Sequence, residues 1–172
     1  MKKITLPFLL LYSSFIFSQD CKYKRNEIDE FTKNKILETK ENLFTLSGMG
    51  LGFSCAYTLK KINDNRYINL HITAPSIFTL RESHEIMFKT EKDSTIDLKF
   101  IESIVANGTY NTSLKSTHWS AQTMIPITAE AYERLKNEKI TKLRVYTVDG
   151  HHDDDVSEKR DKKFKELLKC IE

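Results

Sequence analysis

Six ligand-capable side chains crowd into seven residues near the end of this chain: Asp149-Gly150-His151-His152-Asp153-Asp154-Asp155. Imidazoles and carboxylates can hold a divalent cation, so His151, His152, Asp153 and Asp155 are the candidate metal ligands. Adjacent ligands rarely converge on one ion, however. The string also lacks the alternating oxygen ligands and distal Glu of a calcium-binding EF-hand loop. It is read as a solvated connection between the last strand and the last helix, with Asp153 to Asp155 near the positive helix N-terminus. No cofactor is expected.

A second set of polar side chains lies on one face of a single strand. Tyr67, Asn69 and His71 alternate with Ile68, Leu70 and Ile72. That period of two gives a half-buried strand whose polar side is a candidate ligand-facing surface. His84 and His118 could join it in space as general bases, which would make an envelope hydrolase or metal-dependent enzyme the alternative reading. No Gly-x-Ser-x-Gly or His-Glu-x-x-His occurs in the chain, and the glycines of the segment 47–52 are not followed by Lys-Ser/Thr. That segment is read as a strand entry.

The elements that must position these residues are mostly strands. Phe53, Cys55, Tyr57 and Leu59 form an apolar face upstream of Asn63-Asp64-Asn65, a turn-forming trio, so a hairpin with the Tyr67 strand follows. A second hairpin joins Ile86 and Phe88 to Ile96, Leu98 and Phe100 across Glu91-Lys92-Asp93, with an irregularity at Ile101. Trp119 to Ile127 and Ile140 to Val148 complete the set, with Pro126 near a strand edge. Asn107-Gly108-Thr109 and Asn111-Thr112-Ser113 are assigned to a polar loop. Thr128 caps a short helix through Asn137. A clearer helix runs from Ser157 to Cys170, with Phe164, Leu167, Leu168 and Ile171 on its apolar stripe. The fold class is α+β, a mostly antiparallel β-sheet covered by a C-terminal amphipathic helix, with one short additional helix.

The first residues read as an export signal: Lys2 and Lys3, an apolar run from Ile4 to Phe17, then Ser18. The run is shorter than the about 20 apolar residues that a spanning helix needs, so no stable transmembrane anchor is expected. Asp20 before Cys21 departs from the lipoprotein pattern. Cleavage after Ser18 or Gln19 would leave 19–172 as one globular α+β domain, periplasmic or extracellular. Loss of Lys2 and Lys3 leaves 25 basic against 24 acidic residues, a net charge of +1. A near-neutral domain makes no electrostatic case for nucleic acid.

The chain has 3 cysteines, which in an exported protein suggests one disulfide and one free thiol. Cys55 shares an apolar strand face. Cys21 and Cys170 sit on terminal segments that need anchoring, and these two are paired, although no spacing rule fixes the connectivity. They are too far apart in sequence for the closely spaced pairs of a zinc site.

Cys21-Lys22-Tyr23, Asn26-Glu27-Ile28-Asp29 with Phe31-Thr32, Lys139 to Arg144, and Leu167-Leu168-Lys169-Cys170-Ile171 together resemble a group of small secreted bacterial proteins of uncharacterised function. The resemblance implies no activity, cofactor or catalytic residue, and it supports a link between the two terminal cysteines. The function expected is a non-enzymatic module that binds a small ligand or an envelope protein.

Overall fold

Four apolar residues on alternate positions, followed by Asn63, are enough to start the first hairpin. A computed structural model describes residues 21–47, 52–113 and 115–172. The expected leader, 1–18, and the glycine-rich stretch 48–51 lie outside the described residues. β4 (Ser54–Ile62) and β5 (Asn65–Ala74) pair in antiparallel register from Ser54↔Thr73 to Ile62↔Asn65. The turn needs a left-handed residue, supplied by Asn63 at φ 52, a conformation that Asn tolerates better than most.

The hairpin is the centre of a seven-stranded sheet ordered β1-β2-β4-β5-β11-β10, with β3 also on β4. β11 (Ser116–Ile127) adds to β5, and β10 (Asn107–Asn111) adds to β11. β10 reaches only Ser116–Ser120 of β11, so Pro126 lies where that strand has no neighbour on the β10 side, as its missing N–H requires. On the other flank β1 (Tyr23–Ile28) pairs with β2 (Lys35–Thr39). β2 and β3 (Asn42–Leu46) then share one edge of β4: β2 holds Lys60–Ile62 and β3 holds Ser54–Tyr57. In the gap between them the Leu59 N–H donates to Thr39 Oγ1 at 2.9 Å, so a buried backbone donor stays satisfied where the ladder breaks.

The single expected sheet is in fact divided. A four-stranded antiparallel sheet, β13-β12-β7-β8, consists of β7 (Glu85–Thr90), β8 (Thr95–Lys99), β12 (Ile140–Thr147) and β13 (Gly150–Asp155). A two-stranded ribbon joins β6 (Thr79–Leu80) to β9 (Ile104–Val105). Two expected loops are therefore strands. Asn107–Asn111 is β10, and Gly150–Asp155 is β13, paired from Thr147↔Gly150 to Lys142↔Asp155. Both are edge strands, where polar side chains on exposed faces are tolerated and guard against unwanted pairing. The irregularity at Ile101 reflects the end of β8 at Lys99.

α1 (Ala129–Asn137) starts at Thr128, whose Oγ1 accepts from the Ala131 N–H at 3.2 Å. α2 (Glu158–Lys169) carries the buried stripe of Phe164, Leu167 and Leu168. Phe164 packs at ring-centroid distances of 4.7 Å on Phe44 and 5.1 Å on Tyr57 of the large sheet, and 6.2 Å on Phe88 of the small one. One side chain thus ties the helix to both sheets, and the apolar faces of all three meet in one continuous core. This confirms the α+β class.

Candidate functional site

On β5, Ile68, Leu70 and Ile72 point into the core with no exposure, and Tyr67, Asn69 and His71 point the other way, each half-buried. Register sets their neighbours. Tyr67 stands between Lys60 and Pro126, Asn69 between Thr58 and Met124, and His71 between Ala56 and Gln122. Side chains directly opposite on adjacent strands touch, so the three candidates form the middle row of a strip three strands wide. Both helices pack on the opposite, apolar face of these strands, Phe164 on Tyr57 and the Tyr132 ring under Arg66, which leaves the strip free of them. At its edge Glu41, in the β2–β3 connection, brings Oε2 to 3.5 Å from His71 Nδ1. The pair attracts when the imidazole is protonated. Glu41 is a site residue that strand periodicity does not reveal, because it reaches the strip from a turn.

The remaining histidines stand elsewhere. The His84 N–H donates to the Arg81 carbonyl at 2.8 Å, and its own carbonyl accepts from the Phe100 N–H at 3.0 Å. His118 Nε2 lies 3.1 Å from Ser116 Oγ. His151 and His152 occupy successive positions of β13 and so face opposite sides of the sheet. His151 lies outside, 5.7 Å from the Tyr146 ring, and His152 lies inside, stacked on Phe53 at 4.8 Å. Burial holds the His152 imidazole below its ordinary pKa, a protonated His151 lowers it further, and Asp153 partly opposes both.

The carboxylates of the same string are engaged across the strand pair. Arg144 Nε donates to Asp153 Oδ1 at 2.6 Å, and Lys142 Nζ is 3.4 Å from Asp155 Oδ1. The Arg144 guanidinium holds the Asp153 carboxyl below the usual range. The expected placement of Asp153 to Asp155 as helix N-terminal charges is therefore corrected: Asp153 and Asp155 pair across the strands, and Asp154 turns inward, its Oδ1 accepting the Asp155 N–H at 3.1 Å. Of the candidate ligands His151 and Asp153 approach to 3.9 Å on the outer face, His152 faces the other side, and no group of three His, Cys, Asp or Glu among the described residues could hold an ion.

Cys21 and Cys170 form a disulfide with Cα atoms 5.7 Å apart. Tyr23 Oη adds a second tie, donating to the Cys170 carbonyl at 2.8 Å. Cys55 is free and fully buried, and burial, reinforced by the charge of Asp154, pushes its thiol far above the ordinary range. A buried thiol held in its protonated form is a poor nucleophile. One exposed aromatic stands out. Phe31, 95% exposed, tips the β1–β2 hairpin, where Asp29 Oδ1 accepts from Phe31 N–H, Thr32 N–H and Thr32 Oγ1 at 3.1, 2.7 and 2.9 Å.

No helix among the described residues is long and apolar enough to cross a membrane. No protein-family model, curated protein or solved structure matches the chain.

Proposed function

We propose that this chain is an exported, non-enzymatic binding module that takes a small ligand or an envelope partner on the strip around Tyr67, Asn69 and His71. The observation that carries the reading is the strip itself: half-buried aromatic, amide and imidazole groups on the central strands of the large sheet, away from both helices. Such groups supply contact area and directional hydrogen bonds together. The hydrolase reading calls for two or more histidines meeting a carboxylate in one cleft, whereas each imidazole that nears a carboxylate does so singly, His71 with Glu41 and His151 with Asp153, which supports binding over hydrolysis. A disulfide persists in oxidising compartments, which supports a periplasmic or extracellular site of action.

The test is native mass spectrometry of the chain expressed with its leader and released from a bacterial envelope. The expected result is a mature form beginning at Gln19 or Asp20 with an added mass. That mass is lost in a Tyr67→Ser/Asn69→Ala/His71→Ala variant of unchanged melting temperature. Bare protein in both samples, or an intact initiator Met1 on cytosolic material, overturns the reading.

A further inference from the structure

We propose that the trough between α2 and the β2–β3 connection is a second binding site, for an extended polyanion whose repeating units carry sulfate, phosphate or carboxylate groups. Two cavities of about 560 and 550 Å³ share Asn42 and Lys163 and so run into one another along the exposed side of the helix. Their walls carry five cations, Lys22 and Lys40 on one side and Lys159, Arg160 and Lys163 on the other, against two acids, Glu41 and Glu166.

Glu166 is paired with Lys163 at 3.4 Å, and Glu41 lies 3.5 Å from His71, which answers its charge only when protonated. Lys22, Lys40 and Lys159 have no acidic partner among the described residues. Elsewhere many cations are paired, as in Arg144 with Asp153, Lys142 with Asp155, Lys89 with Asp93 and Lys139 with Glu91, and unpaired ones among the described residues, such as Lys35, Lys92 and Lys99, stand on β2, in the β7–β8 turn and on β8. The trough thus gathers an excess of three positive charges, on a chain whose net charge without its leader lysines is only +1. Ser157, the N-cap of α2, also lines the trough and makes no side-chain cap bond.

The geometry favours a polymer over a single ion. α2 has 12 residues, about 18 Å at 1.5 Å each; Lys159, Arg160 and Lys163 stand in its first half and Lys22, next to the disulfide, stands at its C-terminal end, so one small anion cannot meet both groups. The lining contains no aromatic side chain, and base stacking is what holds single-stranded nucleic acid in such grooves. Charge is the dominant property of these walls, which fits an acidic glycan or a polyphosphate. The disulfide is part of the wall. Cys21 and Cys170 line the same cavity as Lys22, so the cross-link positions that lysine against the helix.

The test uses a heparin-derived oligosaccharide and inorganic polyphosphate as probes, titrated at several salt concentrations. Two triple variants remove equal charge: Lys22→Ala/Lys40→Ala/Lys159→Ala in the trough and Lys35→Ala/Lys92→Ala/Lys99→Ala elsewhere. The trough variant is expected to bind at least about tenfold more weakly and to lower the log–log salt slope by about 2, as three lost contacts require. The control stays within about twofold of the parent at low salt, and reduction of the disulfide weakens binding in the parent. The stronger of the two probes tells a sulfated glycan from a phosphate chain. Equal losses in both triple variants, no binding by the parent, or tighter binding of an oligodeoxythymidylate of matched length overturn the proposal. A Tyr67→Ser/Asn69→Ala variant, which leaves His71 beside Glu41, retains trough binding, so this site and the sheet strip fail separately.

Discussion

Asp161, buried in the first turn of α2, accepts the backbone N–H of Ile140 at 3.0 Å and so fixes the helix to the first residue of β12. The same carboxylate meets Lys165 Nζ at 3.0 Å. Removing it strands a buried donor, which costs more than the bond itself contributes. Asp161→Ala is expected to lower the unfolding free energy by about 1–3 kcal/mol. Asp161→Asn, which keeps an acceptor, loses less. Urea denaturation of both variants checks the order, and equal losses would show that the carboxyl oxygen facing Ile140 is not the relevant contact.

Phe164 touches Phe44, Tyr57 and Phe88, one residue from each of three strands in two sheets. Truncation leaves a hole that neither sheet can fill without moving the other. Phe164→Ala should cost about 3–5 kcal/mol, while Phe31→Ala, at the 95% exposed hairpin tip, should leave the melting temperature unchanged. Thermal unfolding of the pair measures the contrast directly.

Apolar periodicity made the hairpin of β4 and β5, the hairpin of β7 and β8, and both helices readable, because in each the buried residues are Ile, Leu, Phe, Tyr or Val at a constant interval. Where inward positions are polar the signal vanishes. β13 faces the protein interior with His152 and Asp154, so its string reads as a loop. β10 is exposed at every position. β2 and β3 are one edge broken in two, and the break at Lys40 and Glu41 resets the alternation. Tyr67, Asn69 and His71 were legible as a strip, but Glu41 beside His71 comes from a connection that only tertiary structure places. The trough shows the same limit. The lysines of α2 are visible in the sequence as its polar face, whereas Lys22 and Lys40 join them only through chain closure.

The Cys21–Cys170 disulfide closes a sequence separation of 149 residues. In the chain-entropy view that constraint stabilises by roughly 5 kcal/mol at most, and measured values are smaller. Cys21→Ser/Cys170→Ser is expected to lose about 2–5 kcal/mol, a fall in Tm of about 5–15 °C for a chain of this size. Cys55→Ala, which removes a buried thiol and no cross-link, should lose clearly less. Calorimetry of the two variants under oxidising conditions checks the difference. An unchanged Tm in the double variant would mean that the Tyr23 hydroxyl and the core hold the ends without the bridge.

His152 gives the fold a dependence on pH. Burial against Phe53, and then the charge of His151, lower its pKa in the folded state, whereas the unfolded chain titrates near about 6.5. Below that value the unfolded state takes up a proton that the folded state resists, so protons favour unfolding. The contribution is fully present above about pH 6.5 and is lost as pH falls through the folded pKa. Stability should therefore decline between neutral and mildly acidic pH. His152→Phe keeps a ring on Phe53 and removes the titration, and it should flatten that part of the curve. His151→Ala removes the second cause and should flatten it partly. Chemical denaturation from pH 7.5 down to 5.5 reads the slopes, and a His152→Phe slope equal to that of the parent would assign the acid sensitivity to other groups.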